Sequence, residues 1–150
     1  MKSNELMERV AGFEFVDFVG PASSEVIEAA SNQLGVLFPP QYYEFLSSFG
    51  CGGVDSEEFV GLGGPEHLDI VKLTARLRSR HNPLPSNLLP LRGDGYGNYD
   101  CLDLNQVMPT GELAIVQWLH DGGKNQHLVV LADSFDHWFE TILEMMEANS

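Results

Sequence analysis

Lysine and arginine are scarce in this chain: eight in 150 residues against 22 aspartates and glutamates, a formal net charge of −14. A field of that sign repels nucleic acid and anionic membrane surfaces and steers basic partners inward, although the same excess also serves plain solubility. Cysteine is nearly absent. Cys51 and Cys101 lie far apart without CxxC spacing, which excludes a disulfide framework. Two free thiols in a reducing, cytoplasmic setting are expected, with a bridge between them left open. Long apolar runs are lacking too. The longest, Leu128 to Ala132, falls far short of the ~20 residues a membrane-spanning helix needs. The first residues alternate charged with apolar side chains and show no apolar stretch of a secretory signal.

What is present describes an ordinary folded protein. Hydrophobic residues make up 43 % and aromatics 10 %, and the length suits one domain over residues 1–150. The charge is unevenly spread: residues 1–60 carry −8, residues 61–92 carry +3 and residues 93–150 carry −9.

The pattern predicts helices first. One spans about Asn4 to Val10, and Phe13, Phe15 and Phe18 follow in a less regular apolar segment. Ser23 or Ser24 caps a second helix with Ile27, Ala30 and Leu34 on its apolar side, and Gly35 stands at its C-terminal cap. Pro39 and Pro40 open a third, where Tyr42, Phe45, Leu46 and Phe49 repeat at i, i+3, i+4 and i+7. A short strand is expected over Phe59–Leu62 and a helix over Leu68–Arg80. Strands then follow at Leu88–Arg92, Tyr99–Leu104, Leu113–Leu119 and His127–Leu131, joined by turns at Gly93–Asn98, Pro109–Gly111 and Asp121–Gly123. Asp133 is expected to cap a last helix carrying Phe135, Trp138, Phe139, Ile142 and Met146. The fold class is therefore α+β: a mostly antiparallel sheet meander flanked by helices.

No motif for catalysis, metal or nucleotide stands out. The run Gly93 to Asp100 lacks the GK[ST] ending of a phosphate loop and lies between strands. As a calcium loop it offers Asp94, Asn98 and Asp100 at positions 1, 5 and 7, but Tyr96 holds position 3 and Asn105 stands where a bidentate glutamate is required. The five histidines never fall at i, i+4 or in an HxH pair, so no zinc spacing exists. Cys51 beyond a helix C-terminus is placed to have its thiol pKa raised, against a nucleophilic role. Lys72, Arg76 and Arg80, with Arg78 beside them, form the one cationic island, read as a solvated helix face. No enzyme, cofactor or metal is expected.

The order of motifs resembles the SUKH superfamily, which takes in yeast cell-wall-synthesis regulators of the Smi/Knr type and many small bacterial proteins. The resemblance rests on Leu34, Gly35, Phe38, Pro39, Pro40, Gln41 and Tyr42 through Phe45, Leu46, Phe49 and Gly50 to Gly53. It continues through Gly93, Asp94, Gly95, Asn98 to Leu104, Val116 to Trp118 with His120 and Asp121, and Leu131 to Phe135 with Trp138 and Phe139. It covers about residues 24–146. Cys51 departs from the asparagine–glycine–glycine that more often follows the helix.

The resemblance implies an α+β domain and, for a bacterial member, an immunity protein that neutralises a polymorphic toxin, often a nuclease, by binding it. The alternative it implies is a regulatory or scaffold protein of the Smi/Knr type. An acidic surface suits a basic toxin domain. The acids expected to form it sit in loops: Asp55, Glu57 and Glu58 after the third helix, Asp94 and Asp100 around the glycine turn, and Asp121 in the last turn. Tyr96, held out by flanking glycines, is the expected aromatic anchor.

Overall fold

A helix that begins at a serine and ends at a glycine sets the tone of the N-terminal half. The computed structural model describes residues 3–149. After α1 (Ser3–Ala11) comes α2 (Ser24–Leu34), whose Ser23 hydroxyl accepts from Val26 N at 3.2 Å. Gly35 closes it in the left-handed region, at φ 68° and ψ 33°. Helix α3 (Pro40–Ser48) buries Tyr42, Phe45 and Leu46, and Phe49 just beyond it is buried as well. Helix α5 (Phe135–Ala148) buries Phe135, Trp138, Phe139 and Ile142. The two stripes meet ring to ring: Phe45 lies 5.2 Å from Phe135 and 5.7 Å from Phe139, and Tyr42 lies 5.4 Å from Phe135. Both stripes therefore face one interior, as their helical spacing requires.

Two helix starts differ from expectation. The cap of α5 is Ser134, whose hydroxyl accepts from His137 N at 3.3 Å, while Asp133 reaches the His137 ring instead. Helix α4 is shorter than expected, Ile70–Arg78, because Asp69 caps it by accepting from Val71 N and Lys72 N at 3.0 Å each. A 3-10 turn, Glu66–Leu68, precedes that cap.

The second half is the expected meander. Strands β4 (Leu88–Gly93), β5 (Tyr99–Val107), β6 (Leu113–Trp118) and β7 (Val129–Ala132) pair antiparallel in that order. Tyr99 opposes both Gly93 and Trp118. The β4–β5 turn and the β6–β7 loop therefore leave the sheet at the same end.

A second antiparallel sheet was not foreseen. It consists of β1 (Val16–Phe18), β2 (Gly52–Val54) and β3 (Glu57–Phe59), in that order. The strand expected over Phe59–Leu62 is corrected to this one, which ends where the expectation began. Three-residue strands are too short to show a period of two, and Gly52 with Gly53 reads as a turn. The inner face of this sheet joins the aromatic interior: Phe18 lies 4.8 Å from Phe49, and Phe59 stacks on Phe139 at 4.7 Å. The buried apolar residues of both sheets and all five helices form one cluster. Among the described residues no helix is long and apolar enough to cross a membrane.

Candidate protein-binding surface

Arg92 is the only lysine or arginine between residues 81 and 123, and it organises the acids around it. Near the end of β4 its guanidinium donates to Glu57 of β3 and, at 3.1 Å, to Asp100 Oδ2 of β5. Trp138 Nε1 of α5 donates to the same oxygen at 3.0 Å. Asp100 is only 7 % exposed. With Arg92 Nε also donating at 3.4 Å, three donors from two side chains converge on this carboxylate, because β5 is covered by both a neighbouring strand and a helix. Its burial takes Asp100 out of the surface proposed from sequence, and the Arg92 contact leaves Glu57 half-buried and partly neutralised. Burial acts to lower the Arg92 pKa, but Asp100 and Glu57 outweigh it and hold the guanidinium above its ordinary value.

The glycine turn presents two other candidates. Asp94 accepts from Tyr96 N at 2.7 Å, Asn98 N at 3.2 Å and Asn98 Nδ2 at 2.8 Å. Slight desolvation pushes its pKa up, but these hydrogen bonds prevail and hold the carboxyl below its ordinary value. The turn is tied to the β6–β7 loop: His120 N donates to Asn98 Oδ1 at 3.1 Å, and Gly97 leaves no room for a side chain against the His120 ring. Exposed Asp121 follows directly. Tyr96 projects from this braced turn with 82 % of its surface exposed. Because Asn98 donates to Asp94, the turn is arranged as its own hydrogen-bonded unit and not as a ring of oxygens for a cation. Among the described residues no three His, Cys, Asp or Glu side chains converge as metal ligands would.

Asp55 and Glu58 lie elsewhere, on the small sheet. Asp55, at φ 51°, accepts from Phe15 N at 3.1 Å and donates its own N–H to Phe15 O at 2.7 Å, tying the β2–β3 turn to the start of β1. It borders both the Glu57–Arg92 cleft and the outer face of the small sheet. Glu58 is exposed and 3.4 Å from His67 Nε2. The seven candidates thus divide into Asp94, Tyr96 and Asp121 at the end of the large sheet, Asp55 and Glu58 on the small one, and Glu57 with Asp100 tied up by Arg92.

Lys72, Arg76 and Arg80 are exposed, while Arg78 folds back to donate to Ser86 O at 2.9 Å and Leu88 O at 3.3 Å. Both cysteines are free and buried. Burial, and then the charge of Asp69, raises the Cys51 pKa, so the cause is desolvation more than the helix end. Sequence reasoning missed Arg92 as a hub. Its isolation among acids was the available signal, because a lone base amid carboxylates has strong reason to pair.

This architecture, two antiparallel sheets with helices packed on one aromatic interior, defines an α+β protein of the SUKH type. The family model described as SUKH_5, SMI1-KNR4 cell-wall, matches residues 4–144, and the chain belongs to that family. A solved structure it resembles is a protein from Pseudomonas syringae pv. tomato, at a TM-score of 0.69 and 20 % identity, covering 94 % of this chain and 98 % of that one. At that identity the likeness is one of fold. No curated protein matches the sequence.

Proposed function

We propose that this protein is a non-catalytic binding domain that neutralises a basic toxin domain, such as a nuclease, by direct contact. The observation that carries this reading is Tyr96, exposed on a turn that Asp94 and Asn98 brace from within, with exposed acid at Asp94 and Asp121 beside it. A rigid aromatic supplies contact area at low entropic cost, and flanking acids steer a basic partner toward it. Membership of a family rich in protein-binding members supports the same reading. We read the chain as one domain acting in the cytoplasm, in keeping with its two unpaired, buried thiols and single apolar cluster. A regulatory scaffold role is the second reading, favoured by the family description, SMI1-KNR4 cell-wall.

Co-expression with the adjacent open reading frame tests the proposal. Co-purification as a stoichiometric complex, with the toxicity of that product suppressed, is the expected result. A toxic neighbour that neither binds this chain nor is silenced by it would sink the reading.

A further inference from the structure

The small sheet has an aromatic inner face, and its outer face borders an open trough flanked on one side by Pro65 and Leu68. Register decides what stands there. Asp17, Gly53 and Glu58 are cross-strand neighbours in one row, β1 to β2 to β3. The adjoining row, Phe18, Gly52 and Phe59, points into the interior, so the Asp17 row points out. Phe15 and Val19 lie two residues either side of Asp17 and share its direction. These residues, with Asp55, line a single trough. Its shoulders are apolar and open, Phe15 at 67 % and Val19 at 51 % exposed. Its acids, Asp17, Asp55 and Glu58, are all exposed, and among the described residues no lysine or arginine lines it.

The floor is a glycine. A side chain built on Gly53 would approach only Glu57 O, at 3.2 Å, and Glu58 Cγ, at 3.9 Å. As a glycine, Gly53 puts no side chain of its own between Asp17 and Glu58. Two strand spacings place their backbones roughly 10 Å apart, so both side chains can lean over the glycine toward a shared cation. A guanidinium suits that space better than an ammonium. Its planar fork of five donors can serve two carboxylates at once, and its face can lie against an aromatic ring such as Phe15. His67 Nε2 already lies 3.4 Å from Glu58.

We propose that this trough docks an arginine-bearing segment of a partner protein, the guanidinium seated over Gly53 between Asp17 and Glu58 and flanking apolar groups resting on Phe15 and Val19. The proposal rests on the protein-binding reading above and gives it a second, separate contact. The commitment to a basic protein segment follows from charge complementarity: three exposed acids, only the His67 ring beside Glu58, no lysine or arginine among the described lining residues, and apolar shoulders that a hydrated metal ion would leave uncovered.

The test is a titration of the full-length, isotope-labelled chain with acetyl-Arg-Val-Arg-amide, followed by amide chemical shifts, with acetyl-Glu-Val-Glu-amide as the counter-probe. The basic peptide is expected to move resonances of residues 15–19 and 53–58, and the acidic one to leave them in place. D17N/E58Q changes only exposed side chains, so the core is untouched, and it is expected to weaken the basic peptide about tenfold. Shifts centred on residues 94–98 and 121, equal shifts with the acidic peptide, undiminished binding in D17N/E58Q or no shift at all would each overturn the trough. The same double variant separates this proposal from the one beneath it. Wild type failing to hold the toxin defeats the binding reading, whereas D17N/E58Q holding it as tightly as wild type defeats the trough alone.

Discussion

Replacing Asp100 by alanine should be among the most damaging single changes in this protein. The carboxylate is 7 % exposed and accepts from Arg92 Nη2 at 3.1 Å and Trp138 Nε1 at 3.0 Å, joining β4, β5 and α5. Removing one partner of a buried ion pair typically costs about 3–5 kcal/mol, because the other charge is left without compensation. Arg92 keeps Glu57, which places the loss near the lower end of that range. The buried indole N–H also loses its acceptor, worth about 1 kcal/mol more. The expected total is about 3–4 kcal/mol, a large part of the 5–15 kcal/mol that holds a typical domain together. Urea unfolding followed by tryptophan fluorescence measures it, with the midpoint falling and the slope unchanged. D100N, which can still accept from Trp138, should lose less. A loss below about 1 kcal/mol in D100A would refute the reasoning, since the carboxylate would then be solvated and its three contacts incidental.

Other outcomes follow from the same geometry. Glu112 is 5 % exposed, and burial raises its pKa despite the hydrogen bond it accepts from Gln41 N. A raised carboxyl contributes stability that is complete below the ordinary glutamate value of about 4.3 and is lost as pH rises through the higher folded value. Wild type should therefore gain on E112Q as pH is lowered from 7 to about 4, and identical pH profiles of the two unfolding midpoints would contradict this. Gly61→Ala should destabilise by about 3 kcal/mol in thermal unfolding, since its Cβ would fall 1.7 Å from Gly50 O, and an unchanged midpoint would show that the two loops part easily. Burial raises the pKa of both Cys51 and Cys101, so in the folded protein both thiols should react with a disulfide reagent many times more slowly than after urea unfolding. Prompt reaction of either thiol in the native state would mean that its surroundings open.

The parts of the fold legible in sequence are those with a long period. The stripe Tyr42, Phe45, Leu46, Phe49 and the stripe Phe135, Trp138, Phe139, Ile142 are buried throughout, because helical spacing over two or more turns admits one core-facing arrangement. The meander was legible from its turns, Gly93 to Asn98 and Asp121 to Gly123. The small sheet was not, since β1, β2 and β3 are each three residues long and Gly52–Gly53 resembles a loop. Register, which only the structure supplies, puts Asp17 and Glu58, 41 positions apart in the chain, in one row on either side of Gly53. For the surface, exposure at Asp94, Tyr96 and Asp121 follows from their place in turns. The burial of Asp100 was hidden because its partners, Arg92 and Trp138, come from other elements, and an acid in a strand gives no local sign of the side it faces.

The account stands most directly on association kinetics with the product of the adjacent open reading frame. The rate constant is measured against ionic strength for wild type and for D55N/E58Q/D94N/D121N, which neutralises the four exposed acids among the sequence candidates. Wild type should associate about tenfold faster at low salt and lose that advantage as salt rises, with the variant nearly flat. Equal rates and equal salt slopes for the two proteins would contradict the account and leave the acidity as a matter of solubility.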